Sequence, residues 1–191
     1  LIAGGFPERA SDARSFNSCL HITPSGELAA HYRKIHLFDV DLADGTKLHE
    51  SKATAPGERA VTTELPFGTL GLTICYDVRF PHLYQHLVDR GAVALTVPSA
   101  FTKTTGKDHW HVLLRARAIE CQSYVIAPAQ HGSHEHRNRE SYGHALVADP
   151  WGNVIAEVDD GDGFALATID PAEVGRIRCQ LPSIANRRNF R

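Results

Sequence analysis

At 191 residues, with 42% hydrophobic and 22% charged side chains, the chain has the make-up of one globular domain long enough to bury most of its apolar surface, which excludes a disordered or fibrous protein. No apolar run approaches the roughly 20 residues a membrane helix needs, and no secretory signal opens the chain, so no membrane partner is expected. A net charge of −2 with scattered basic residues leaves no electrostatic footprint for nucleic acid.

Taken in order, Leu1 to Gly5 is a short apolar run, and Phe16 to Thr23 reads as a strand interrupted by Asn17 and Ser18. Pro24-Ser25-Gly26 supplies a turn and Glu27 to Tyr32 the second arm of a hairpin, which leaves Lys34 just past a strand end. Asp39 to Arg59 has few paired apolar positions and is expected to be a long loop, carrying Glu50. Leu70 to Ile74 has the β-branched, glycine-relieved character of a strand buried on both faces. A polar turn follows, then a helix from Pro81 with Leu83, Leu87 and Val88 on one face. Cys75 is therefore expected on a strand-to-helix elbow, where a side chain is lifted from the sheet end beside free backbone N–H groups.

Ala92 to Val97 reads as the next buried strand. Trp110, Leu113, Leu114, Ala118 and Cys121 lay out an amphipathic helix from about Asp108 to Gln122, and Tyr124 to Ala129 is the strand after it. Two strand-helix-strand units in succession mean an α/β fold. His131 to Glu140 is a polar loop; its clustered His131, His134 and His136 lack a fixed element and read as solvated, so no metal is expected. Ala145 to Ala148, Val154 to Val158 and Phe164 to Ile169 form an expected antiparallel meander, and Asp170-Pro171-Ala172-Glu173 opens a last helix. Residues 181–191 are left as a C-terminal tail with no evident role within the chain. Cys19, Cys75, Cys121 and Cys179 form no C-x-x-C pair, which suits free thiols in a reducing cytoplasm. The chain opens on Leu1 in mid-strand and contains no methionine, so a fragment, a processed chain or an incomplete record is expected.

Tyr32-Arg33-Lys34-Ile35-His36-Leu37-Phe38, then Glu50, then Ile74-Cys75-Tyr76-Asp77-Val78-Arg79-Phe80-Pro81, resemble in order and wording the nitrilase superfamily of carbon–nitrogen hydrolases. Ala100-Phe101-Thr102, Trp110, Leu114 to Glu120, Ser141 to His144 and Asp149 to Gly152 look like its Nit branch, and the likeness runs the length of the chain. The resemblance implies a four-layer α-β-β-α sandwich in a single hydrolase domain over 1–191, lacking its N-terminal strand and helix. It also implies a homo-oligomer and a cofactor-free thiol amidohydrolase for a small acidic amide. Deaminated glutathione is the expected substrate, with 2-oxo-acid amides as the alternative.

By position in the motifs, the resemblance makes Cys75 the nucleophile and Lys34 the cation at the tetrahedral oxyanion, beside the backbone N–H of Tyr76. Glu50 then orients the lysine. The family's first glutamate, its general base, has no counterpart here; Glu8 and Asp12 follow the strand that should come after it and are not given the role. A catalytically silent fragment or interaction subunit is accordingly the rival reading. Asp77 and Arg79 are expected to buttress the elbow as a buried ion pair. Phe101 and Thr102 are expected at a strand end lining the pocket, with Arg137 or Arg139 placed to grip a substrate carboxylate.

Overall fold

The computed structural model describes residues 1–41, 45, 47–134 and 139–188. Ile2–Arg9 (β1), Ser15–Ile22 (β2) and Leu28–Arg33 (β3) form an antiparallel sheet in that order. The stretch 39–59 is more ordered than its composition predicts. Asp39–Asp41 (β4) pairs with Lys47–His49 (β5), and Glu50–Lys52 form a 3₁₀ turn. The pairing went unread because only Val40 and Leu48 mark these short arms as paired.

Val61–Leu65 (β6) and Gly68–Leu72 (β7) form a hairpin at the edge of a six-stranded mixed sheet. Its other members are Ala94–Thr96 (β8), Tyr124–Ala127 (β9), Leu146–Ala148 (β12) and Val154–Glu157 (β13), in the order β13-β12-β9-β8-β7-β6. Between β9 and β12, His131–His134 (β10) and Arg139–Tyr142 (β11) make a separate hairpin where a loop was expected. Strands β7, β8 and β9 are parallel. Pro81–Asp89 (α1) connects the first two and Lys103–Cys121 (α2) the second two, as the strand-helix-strand pattern requires.

Two cores result. On the helix side, Leu83, Leu87, Trp110, Leu114 and Ala118 pack against Leu95, Val97 and Val125. Between the sheets, Cys19 and Tyr32 meet Leu70, Leu72, Ile74 and Tyr124. Gly71 is required where α1 crosses: a Cβ there would stand 2.8 Å from Leu95 Cδ2 and 3.0 Å from Leu87 Cδ1.

Three other expectations change. The helix α2 starts five residues earlier than its apolar pattern does. Phe164 to Ile169 is not a strand; it pairs with nothing in the sheet and exposes Phe164 and Leu166. Asp170 does cap Pro171–Gln180 (α3), accepting from the Ala172 N–H at 2.9 Å. Beyond α3 the chain is tied down: Leu181 O accepts from Gln122 Nε2 at 2.6 Å, Ile184 packs on the helix-side core and Arg187 pairs with Asp89. Residues 181–188 therefore have an intrachain role; the rest of the expected tail, residues 189–191, lies outside the described residues.

Candidate active site

Parallel strands end together at their carboxyl edge, and there the chain must turn away and leave room above the sheet. Here that edge opens on a cavity of about 780 Å³. Ile74 and Cys75 after β7, Pro98 to Ala100 after β8, and Pro128 to Gln130 after β9 form its floor. Residues of the three-stranded sheet and of the 34–54 segment form its walls.

Cys75 begins the 3₁₀ turn Cys75–Arg79 with φ at +49°, one of three non-glycine residues with positive φ among the described residues. A cysteine held in the left-handed region costs on the order of 1–3 kcal/mol, so the fold must over-determine it. The Cys75 N–H donates to Pro98 O at 3.0 Å. The Asp77 carboxylate, fully buried, accepts from the Ile74 N–H at 2.9 Å, the Tyr32 hydroxyl at 2.7 Å and the His36 N–H at 3.0 Å. His36 Nδ1 also lies 2.7 Å from Asp77 Oδ1, and its ring stacks on Phe80. One carboxylate thus joins the lysine-bearing segment to the elbow.

Asp77 does not pair with Arg79. Two positions apart on a turn, the side chains diverge, and Arg79 instead reaches His109 Nδ1 at 3.2 Å and lies over Phe101. Tyr76, second in the turn, carries one of the leading N–H groups that have no partner within it.

Lys34 is held by its backbone on both sides, donating to Asn17 O and accepting from the Gly57 N–H, each at 2.8 Å. Its side chain is 3% exposed and lines the cavity. A buried ammonium demands an acid, and Lys34 Nζ donates to Glu50 Oε2 at 2.5 Å. The same oxygen accepts from the Phe38 N–H at 2.6 Å. Glu50 is the only carboxylate lining the cavity among the described residues. Glu8 faces elsewhere, bound to Arg33 and 2.9 Å from Ser18 Oγ; the Arg33 guanidinium holds its carboxyl down at about 2.

Arg139 lines the cavity, donating from Nη2 to Ala100 O at 2.5 Å, with Nε buried and unpartnered among the described residues. Arg137 and His136 lie outside the described residues. Phe101 and Thr102 do not line the cavity. Phe101 turns into the core against Trp110, their ring centroids 5.1 Å apart, and the Thr102 hydroxyl lies 2.7 Å from Thr105 Oγ1 at the start of α2. Strand β8 ends before these residues, so the floor is made by Pro98, Ser99 and Ala100 instead. Asn17 was missed as a wall residue; its Oδ1 is buried and unpartnered among the described residues. The polar Asn17-Ser18 break in an otherwise apolar strand was its signal.

The remaining thiols differ from Cys75 in setting. Burial pushes Cys19 up to about 11 and Cys121 up to about 12, leaving both protonated at neutral pH, while Cys179 is exposed on α3.

The carbon–nitrogen hydrolase family model matches residues 1–179. The chain is 48% identical over 191 residues to a deaminated glutathione amidase of Synechocystis sp., covering 98% of this chain and 70% of that protein. It is 47% identical over 195 residues to the bovine deaminated glutathione amidase, covering 98% of this chain and 58% of that one. Among solved structures, the NitFhit protein of C. elegans superimposes with a TM-score of 0.92 at 43% identity, over 98% of this chain and 46% of that chain.

Proposed function

The chain belongs to the carbon–nitrogen hydrolase family, and from that premise we propose that it carries the nucleophile, cation and one acid of a thiol amidohydrolase acting on deaminated glutathione. The observation that supports this most is the buried Lys34–Glu50 pair sharing one cavity with Cys75 at a strained elbow.

In this reading the Cys75 thiolate attacks the amide carbonyl carbon, and the carbonyl electron pair moves to oxygen. Lys34 Nζ and the Tyr76 N–H receive that oxyanion, with Glu50 holding the ammonium in position. Collapse breaks the C–N bond, the amine leaves with a proton, and a thioester remains on Cys75. Water then cleaves the thioester, releasing the carboxylate and restoring the thiol. The role of first proton acceptor is given to none of the described residues. In this reading Arg139, whose buried Nε has no partner among the described residues, receives a substrate carboxylate.

The test is amine release from deaminated glutathione by the full-length protein. Cys75→Ala should lower turnover on the order of 10⁴-fold or more, as loss of a nucleophile does, while Cys121→Ala keeps near-native rates. Substantial activity in Cys75→Ala would remove the assignment.

A further inference from the structure

Away from the cavity, three side chains from three separate elements converge. His111 Nε2, from the middle of α2, lies 2.7 Å from Glu157 Oε1 at the end of β13. His144 Nδ1, from the segment between β11 and β12, lies 3.2 Å from the same oxygen. Ligand atoms of all three fall within 4.8 Å of one another, and each side chain is between a fifth and a third exposed. We propose that His111, His144 and Glu157 bind a divalent transition-metal ion, with Zn²⁺ the best match, and so clamp β13 and the residue-144 segment onto α2.

The donor set is the first reason. Two imidazole nitrogens and one carboxylate oxygen are ligands that Zn²⁺ takes in tetrahedral sites with a fourth position left for water. Zinc bonds of about 2.0–2.2 Å place neighbouring ligand atoms about 3.3–3.6 Å apart. Both carboxylate contacts, 2.7 Å to His111 and 3.2 Å to His144, open slightly to reach that range, and the two imidazole nitrogens already lie within 4.8 Å of each other.

The second reason is proton bookkeeping. A neutral imidazole has one N–H and one lone pair. His144 faces a carboxylate with both nitrogens, Nδ1 toward Glu157 and Nε2 toward Asp160 at 3.4 Å. With the proton on Nε2, the Nδ1 lone pair and the Glu157 oxygen face each other across 3.2 Å, and a cation between them takes one coordinate bond from each. Nε2 then faces Asp160, an outer carboxylate of the kind that commonly orients a metal-bound histidine.

The third reason is rigidity. His144 is held at φ +55°, its carbonyl accepts from Trp110 Nε1 at 2.8 Å, and the Tyr142 ring packs on its imidazole at 4.4 Å between centroids. Strain of this kind persists where the surroundings fix it and a site requires it. His111 and Glu157 are mounted on regular elements and His144 on pinned backbone; their separation in sequence leaves no spacing signature.

The experiment uses metal-stripped full-length protein titrated with Co²⁺ and, separately, with Zn²⁺. The expected result is one Co²⁺ per chain with tetrahedral d–d absorption and no thiolate charge-transfer band, and a thermal midpoint raised by Zn²⁺. His111→Gln and the near-isosteric Glu157→Gln should each weaken binding at least tenfold. Asp160→Asn should weaken it by about tenfold, as outer partners do. Circular dichroism separates misfolding from ligand loss, and Cys75→Ala should bind as the parent does. None of the three ligands lines the catalytic cavity, so amide turnover should be unchanged in Glu157→Gln. The proposal fails if stripped protein takes up no metal, if binding survives both ligand substitutions, or if a thiolate band shows that the metal sits on cysteine.

Discussion

Lys34 sits where its exchange for arginine separates charge from shape. Both residues carry the positive charge, but the guanidinium is a planar fork and the ammonium a compact point. With the side chain 3% exposed and Glu50 Oε2 already shared with the Phe38 N–H, a planar fork cannot take the same single-atom contact without displacing Glu50. Lys34→Arg should therefore lose about 3 kcal/mol of transition-state stabilisation, roughly 10²-fold in kcat. Steady-state kinetics on full-length protein checks this, and near-native kcat would mean that Lys34 is only a structural cation. At this scale the sequence was legible where a motif names residues and blind where side-chain direction decides. Motif order singled out Cys75, Lys34 and Glu50, and these three line one cavity. That Asp77 turns to Tyr32 and His36 rather than to Arg79 was not, because it depends on partners 45 and 41 residues away. Phe101 failed for a related reason: an aromatic residue past a strand end can face core or cavity, and Trp110 on α2 draws it to the core.

Among the elements, the parallel strands and their crossover helices were legible because burial on both faces leaves continuous apolar runs. The hairpin β10-β11 was not, since His131-Gly132-Ser133-His134 has no apolar alternation and is held by its backbone ladder and by Ser141. The early start of α2 was hidden in Lys103-Thr104-Thr105-Gly106, a poor helix sequence by propensity. Gly106 shows why that sequence is tolerated. A Cβ there would stand 2.4 Å from Tyr142 Cβ, on the strand that also carries Arg139. Propensity alone predicts that Gly106→Ala gains about 1 kcal/mol in a helix interior. Overpacking against a backbone-anchored side chain opposes it and typically costs about 1–3 kcal/mol. The expected net result is a lowered thermal midpoint with a raised KM, because β11 must move and take Arg139 with it. A raised midpoint with unchanged KM would show that the hairpin yields freely.

For the whole molecule, the α/β class was legible from element order, while the layering came from the family resemblance. Several large apolar side chains remain exposed outside both cores. Val112 and Ile119, seven positions apart, share one face of α2 and are 67% and 48% exposed. The turn carrying Trp151, itself 56% exposed, is bound to the same helix through Arg115 Nε donating to Gly152 O at 2.7 Å. Phe164 and Leu166 lie bare in the segment expected to be a strand. Ile119 and the Trp151 turn adjoin through Gly152; exposed apolar surface of this kind marks an interaction site more often than chance, and a stable homodimer needs about 800 Å² per partner. We propose that the α2 face with the Trp151 turn pairs with a second copy of the chain. Light scattering on the full-length protein at micromolar concentration should give at least twice the chain mass. Val112→Glu, a change on the exposed face that leaves Trp110 and Leu114 in the core, should shift the population toward monomer without lowering the thermal midpoint of the monomer itself. A monodisperse monomer in the parent protein, or an assembly unaffected by Val112→Glu and by Ile119→Glu, would place the interface elsewhere or remove it.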